Sequence, residues 1–405
     1  MYDAIIVGAR CAGATTAMLL ARKGYRVLLV DRASFPSDTM SGHYIHQPGG
    51  ARLARWGLLD KVAATGCPPI RTLTFDVGPF TLTGCPPPSD GVAAGYGPRR
   101  SVLDKILVDA AVEAGAELRE RFSVTELLWE GDRVVGIRGV ERSGRPVAEH
   151  ASIVVGADGI HSRVARAVGA PTYEERPALT CAYYSYWSGV PIDGVELYPR
   201  DGHFITAMPT NDGLTLVAAF RPVGEFHAYR ADVEGNLLNA LDDHAPSLAE
   251  RVRGGRREER FVGTADSAGF FRRPYGPGWA LVGDAGYHKD AITGQGMTDA
   301  FRDADLLAEA IDAGLSGRRR LSPALADYQR RRDEAVLPMY EQTYQLAALQ
   351  PPPPEMQALF GALRGNRRDT DRFFGTIAGT TPIPEFYAPA NVERIIAAAA
   401  PARAA

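Results

Sequence analysis

Three glycine-bearing turns carry most of the chemistry written in this chain. In the first, IIVGARCAG (residues 5–13), Gly8 and Gly13 fill the outer places of the pattern G-x-G-x-x-G, and Arg10 stands where the middle glycine belongs. Such a turn, between a buried strand and a helix, offers a sharp bend, free backbone N–H groups and the positive end of a helix dipole to a phosphate. Arg10 removes room for close backbone approach. Its guanidinium either points away from that approach or itself pairs an oxygen of a diphosphate. Further on, Asp31 closes the apolar run YRVLLVD, with Arg32 beside it. A carboxylate at that distance from the turn accepts the hydroxyls of a ribose. The second turn, GADGIHSRVAR (156–166), carries Asp158. The third, in GDAGYHKDAITGQGMTDAFRDADLLAEA (283–310), places Gly283 and Asp284 at a strand's carboxyl end and opens a helix with Gly294, Gln295, Gly296 and Met297. An acid at a strand end holds a sugar hydroxyl. A G-Q-G opening makes an anion-stabilising nest, and a flat ring laid against it can carry negative charge.

Four short buried-strand patterns must position these turns, near 3–8, 26–31, 152–157 and 279–283. A strand, helix and strand in the first thirty or so residues imply a right-handed crossover and parallel strands. Residues 71–98 read as a hairpin excursion, 101–117 as a helix, and 124–141 as a hairpin turning at Gly131-Asp132. Residues 178–262 alternate apolar and polar with many aromatics, which predicts a mostly antiparallel sheet with one helix near 231–252. Two long helices follow, then PPPPE (351–355) as a breaker, then an alanine-rich helical tail with frayed ends. The fold class is therefore α/β. A discontinuous, three-layer Rossmann-like nucleotide domain (1–70, 99–170 and 262–345) surrounds an inserted antiparallel β-sheet domain for the substrate (71–98 and 171–261). A C-terminal helical region covers 346–405.

Composition excludes several classes. Of 405 residues, 45% are hydrophobic and 23% charged, with net charge −3, so neither a nucleic acid nor a membrane surface is the expected partner. The basic runs at 318–320 and 330–332 are expected on solvated helix faces. The four cysteines form no C-x-x-C pair, which argues against a metal or a redox dithiol and suits a reducing cytoplasmic setting. No apolar run reaches the ~18 residues of a membrane span, and no basic-then-apolar leader opens the chain. Oligomeric state leaves no trace in the sequence.

With three motifs in this order, the chain resembles, from residue 3 to about 345, the single-component FAD-dependent aromatic hydroxylases. These are the group A flavoprotein monooxygenases typified by p-hydroxybenzoate hydroxylase. The resemblance implies tightly bound FAD. Gly8, Arg10, Gly13, Asp31 and Arg32 would meet its adenosine and diphosphate, Val124 its adenine through a backbone amide, and Arg100 the cofactor from the head of a helix. Asp158 would serve both FAD and a passing nicotinamide. Gly283 and Asp284 would hold the ribityl or diphosphate region, and Gly294, Gln295, Gly296 and Met297 the flavin. It also implies the cycle. NADPH or NADH binds transiently and reduces FAD. The reduced flavin forms a C4a-hydroperoxide with O₂, which delivers one oxygen atom to an aromatic or polyketide-like small molecule. No second G-x-G-x-x-G exists, so the nicotinamide has no domain of its own. A substrate of this kind needs a base or hydrogen-bond acceptor. His43, His46, Tyr184, Tyr186, Trp187, His203 and His288 are candidates, with His46 and Tyr186 chosen as catalytic. Four departures stand out: Arg10, Ala291 for proline, Tyr287 for histidine and Thr298 for asparagine. Alternative readings are a reductase of the geranylgeranyl-reductase type, a halogenase and a non-catalytic flavoprotein docking through PPPPE. SYWSGVP misses the halogenase pattern W-x-W-x-I-P.

Overall fold

A computed structural model describes residues 1–41 and 43–399. Its first sheet is built on five parallel strands, lying side by side as Glu117–Arg119, Val27–Val30, Tyr2–Val7, Pro146–Gly156 and Trp279–Leu281. Numbered along the chain, that order is 3-2-1-4-5, the doubly wound arrangement. The strands are apolar because both faces are covered. Ala4, Ile6, Val27 and Leu29 face one core, shared with the helices Cys11–Ala21, Arg100–Glu113 and Gly296–Leu315. Ile5, Val7, Leu28 and Val30 face the other, shared with the hairpin Ser123–Glu130 and Arg133–Val140. The strand order reverses between Tyr2–Val7 and Pro146–Gly156. The crevice outside their carboxyl ends is where ligands of such sheets bind.

The strand Glu117–Arg119, beyond the four expected, corrects the helix expected over 101–117. That helix stops at Glu113, because Gly115 takes a left-handed φ of +104° and the chain re-enters the sheet as Glu117–Arg119.

The second sheet runs Arg256–Arg257, Thr180–Ser188, Thr215–Pro222, His203–Pro209, Gly194–Arg200, Thr72–Asp76 and Thr81–Gly84. Its pairings are antiparallel except that of Gly194–Arg200 with Thr72–Asp76. Alternation gives it two apolar faces. Tyr183, Trp187, Ile205 and Val217 pack on Val233–His244 and Pro246–Gly254. The single helix expected near 231–252 is therefore broken. Pro246 cannot continue it, and a separate short helix, Phe226–Arg230, precedes Asp232, whose carboxylate caps the second through Gly235 N–H.

The other face, with Phe75, Tyr184, Phe204 and Phe220, shares its core with the C-terminal helices Pro354–Leu363, Arg367–Ala378, Ile383–Phe386 and Pro389–Ala399. The tail is thus a packed layer to residue 399, held by Phe360, Phe373, Phe374 and Phe386. Its last six residues lie outside the described ones. The basic run 330–332 is also corrected. Arg330 and Arg331 are exposed on Leu321–Ala347, whereas Arg332 is fully buried and donates to the carbonyls of Gly286 and Arg272 and to Tyr173 Oη.

Candidate active site

One cavity of about 1770 Å³ runs from the strand-order reversal, past the third glycine turn, to the inner face of the second sheet. Single-ligand pockets are usually ~300–1,000 Å³, so this one has room for a dinucleotide and a second molecule. At its base the first two turns touch. Gly8 has φ +103°, and a Cβ there would sit 2.4 Å from the Ala157 carbonyl oxygen. A Cβ on Gly13 would lie 1.8 Å from the Gly8 oxygen, so the helix rests directly on the turn.

Two carboxylates of this groove are fixed in advance. Asp31 Oδ2 accepts from Ala9 N–H at 2.7 Å and Oδ1 from Ala33 N–H at 2.7 Å. Asp158 accepts from Ser162 Oγ at 2.5 Å and from Arg163 N–H at 2.6 Å. Arg10 precedes Cys11–Ala21, and its guanidinium turns to Asp104 at 2.6 Å and to the Ser37 and Asp38 carbonyls. Asp104 is fully buried and also takes Arg100 in a two-nitrogen contact at 3.0–3.2 Å. Two guanidinium groups against one carboxylate leave a net positive charge at the turn. Arg32, Arg163 and Arg166 add exposed cations along the walls. These features fit the diphosphate and ribose of a dinucleotide such as FAD. Val124 and the exposed Asp284 also line the cavity.

At the third turn Gly294 takes φ +64° between a 3₁₀ turn and the helix Gly296–Leu315. Gly283, Gly294, Gly296 and Met297 line the cavity. Gln295 does not; its side-chain amide donates to the Ile377 carbonyl at 2.6 Å, tying the turn to the C-terminal layer. A Cβ on Gly294 would sit 3.7 Å from His46 Nε2, which places His46 beside this turn. His46 donates from Nε2 to the Thr293 carbonyl at 3.1 Å, and its Nδ1, fully enclosed, has no partner. Burial pushes its pKa down to about 4, against the raising effects of the Thr293 carbonyl and Asp299.

Tyr186 does not line the cavity. Its ring lies under Arg99, whose guanidinium carbon is 4.0 Å from the ring centre, and its hydroxyl is hydrogen-bonded to His43 Nε2. His43 and Tyr184 are the members of this cluster that face the cavity. Burial, reinforced by Arg100, lowers the His43 pKa to about 3, so both histidines are neutral at neutral pH. Burial raises the phenols of Tyr184 and Tyr186. Of the other candidates, His288 lines the cavity and is held by the Ala268 carbonyl. Trp187 faces the opposite side of the sheet, and His203 is held by the Asp201 carbonyl.

Two groups of lining residues escaped the sequence reading. Lys289 is buried in an ion pair with Asp299, which also accepts from Arg302 at 2.6 Å; Lys289 and Asp299 both line the cavity. Only the position of this lysine inside a glycine-turn motif could have marked it. The chamber walls are the second group, and their signal was present: alternate residues of each strand point one way. Among the described residues no cluster of three potential metal ligands occurs, and no helix is long and apolar enough to cross a membrane.

The family model described as FAD binding domain matches residues 1–343, and the chain belongs to that family of FAD-dependent oxidoreductases. It is 29% identical over 327 residues to the digeranylgeranylglycerophospholipid reductase of Methanosarcina mazei, covering 77% of this chain and 76% of that protein. Among solved structures it is similar to the myxobacterial chondrochloren halogenase CndH, an FAD-dependent halogenase. The TM-score is 0.77 at 25% identity, with 98% of this chain and 96% of that chain covered. PqsL from Pseudomonas aeruginosa, a probable FAD-dependent monooxygenase, shares the fold with a TM-score of 0.70 at 24% identity, covering 92% of this chain and 98% of that one.

Proposed function

We propose that the protein is an FAD-dependent, NAD(P)H-consuming monooxygenase that places one oxygen atom of O₂ on an aromatic or polyketide-like small molecule. The observation that carries this reading is the continuity of the cavity, in which a charged dinucleotide groove opens at Gly294 into a chamber with apolar walls. FAD, held by the groove residues, would supply hydride acceptance from the nicotinamide and activation of O₂. The protein's part is positioning and exclusion of water. The aromatic and aliphatic walls keep water from the reacting centre. The N-terminus of Gly296–Leu315 stabilises negative charge beside it. His46 stands beside Gly294 as a neutral imidazole on the same cavity, and its role is contact with a substrate's polar end rather than free proton transfer. Tyr186 works one step back, orienting His43 through its hydroxyl.

The test is NAD(P)H oxidation by the purified yellow protein across a panel of phenols and polyketide-like aromatics, with O₂ uptake and peroxide release followed together. A compound that accelerates oxidation, suppresses peroxide and gains one oxygen atom supports the reading. Product formed only without O₂ overturns it. A second reading, reduction of a carbon–carbon double bond, is favoured by the similarity to the Methanosarcina mazei reductase over 77% of this chain. Anaerobic turnover would select it.

A further inference from the structure

The chamber's walls specify the kind of molecule it takes. Five adjacent strands, from Thr180–Ser188 to Thr72–Asp76, contribute alternate residues to the cavity. Leu197, Phe204, Met208, Ala218 and Phe220 are typical of them. At ~4.8 Å between strands this wall is about 19 Å wide, far wider than a single aromatic ring. Phe360, Phe373 and Ile377 of the C-terminal helices close it from the other side. Among the described residues, no charged side chain from this sheet or from those helices lines the cavity. Every charged lining residue belongs to the groove, to the third turn or its helix, to the loop at Asp266, or to Glu341 on the long helix. Lys289, the cation nearest in kind to a carboxylate receptor, already has Asp299 as its partner.

A carboxylate placed against these walls would lose its hydration and meet no counter-ion, which is strongly unfavourable. A single small phenol would leave most of the wall uncovered. We propose that the substrate is an elongated, uncharged, predominantly apolar molecule. Its one polar reactive end lies at His43, His46 and Gly294, and its hydrocarbon body lies along the sheet towards Phe360 and Phe373. This rests on the reading of the chamber as the substrate site of the enzyme proposed above. The hydrocarbon can be an alkyl chain or a set of fused rings; both present the same surface to these walls.

The experiment reads binding rather than turnover. The flavin-loaded protein, kept anaerobic without nicotinamide, is titrated with phenol, 4-butylphenol and 4-octylphenol, with 2-naphthol and 2-anthrol, and with 8-(4-hydroxyphenyl)octanoate. The flavin difference spectrum reports occupancy. Affinity should rise by up to about fourfold per added methylene along the alkyl series. The naphthol-to-anthrol step should rise too if fused rings are accepted, and a flat ring series with a rising alkyl series identifies the chain as the natural body. 8-(4-Hydroxyphenyl)octanoate, whose carboxylate falls against the apolar wall, should bind at least tenfold more weakly than 4-octylphenol. Ala218→Trp should abolish the gain from the octyl chain. Should that variant misfold, Thr206→Lys offers a second test, since Thr206 stands on the same wall. It should strengthen 8-(4-hydroxyphenyl)octanoate at the expense of 4-octylphenol. Equal affinity across both series, or tighter binding of the carboxylate to the unaltered protein, overturns the proposal. Chain-length-dependent binding without oxygen insertion would sink the monooxygenase reading and leave this one standing.

Discussion

Along the nucleotide groove, the groups that face a ligand are backbone N–H donors, guanidinium groups and carboxylates already fixed by hydrogen bonds. Along the chamber they are Phe, Leu, Val, Met and Ala side chains standing on every second residue of a sheet. The groove is defined by where the backbone can go, the chamber by what fills the space above it. A side chain added in the groove collides with main chain, which cannot retreat. One removed from the chamber leaves a void but keeps the backbone. The two halves should therefore fail in different ways.

The largest effect is expected in the groove. Gly13→Val puts a branched side chain where even a Cβ would be 1.8 Å from the Gly8 oxygen. The helix must lift off the turn, at a cost of roughly 4 kcal/mol or more, and purified protein should be colourless. A yellow Gly13→Val protein with unaltered melting would show that the turn does not set the groove. Its counterpart in the chamber is Phe373→Ala. Phe373 is buried against Phe75, Phe360 and Phe374, so the loss should be about 3–5 kcal/mol in urea unfolding, with flavin content preserved in the folded fraction. Flavin loss in proportion to the lost stability would mean the two halves are one cooperative ligand site.

The boundary between them is marked by pH. His43 and His46 have pKa values of about 3 and about 4 in the folded protein, depressed mainly by burial, against ~6.5 when unfolded. Between those values the unfolded chain binds protons that the folded one does not, so stability falls as pH drops through that interval and is fully present above it. Each histidine contributes a few kcal/mol at most, about 3 for His46. His46→Gln should flatten the acid limb of a stability–pH profile between about pH 6.5 and 4, leaving the His43 share. An unchanged limb would mean that His46 titrates freely.

The same contrast explains what could be read before the structure. The groove was legible because its requirements are local: Gly8, Gly13 and Asp31 stand at spacings fixed by one strand, one turn and one helix. Glu117–Arg119 was lost because only Gly115 separates it from a good helix. The chamber was half legible. Alternation revealed strands, but which face of Thr180–Ser188 looked inward depended on packing by two helices on one side and the C-terminal layer on the other. That put Tyr184 on the cavity and Trp187 away from it. Tyr186 shares the inner face of Tyr184, yet Arg99 and His43 cover it. Phe373 could not be assigned to a wall at all, since nothing local links residue 373 to residue 75.

The smallest effect belongs to Arg10, the residue that breaks the glycine pattern. Its guanidinium is spent on Asp104 and on the carbonyls of Ser37 and Asp38, so it holds the loop after the second strand to the head of the helix Arg100–Glu113. Arg10→Gly leaves Asp104 neutralised by Arg100, with its two-nitrogen contact intact. The pair it breaks is partly open to solvent on the arginine side, at 26% exposure, so the loss should be about 1 kcal/mol. The turn also loses its surplus positive charge, while the missing Cβ restores room for the backbone to approach a diphosphate. These changes oppose each other in affinity, and flavin should stay bound, with the salt dependence of its release weakened. Measuring flavin content and release at two ionic strengths separates the possibilities. Colourless Arg10→Gly protein of near-normal stability would make this arginine a direct ligand of the diphosphate, and the groove would then depend on a side chain in the way the chamber does.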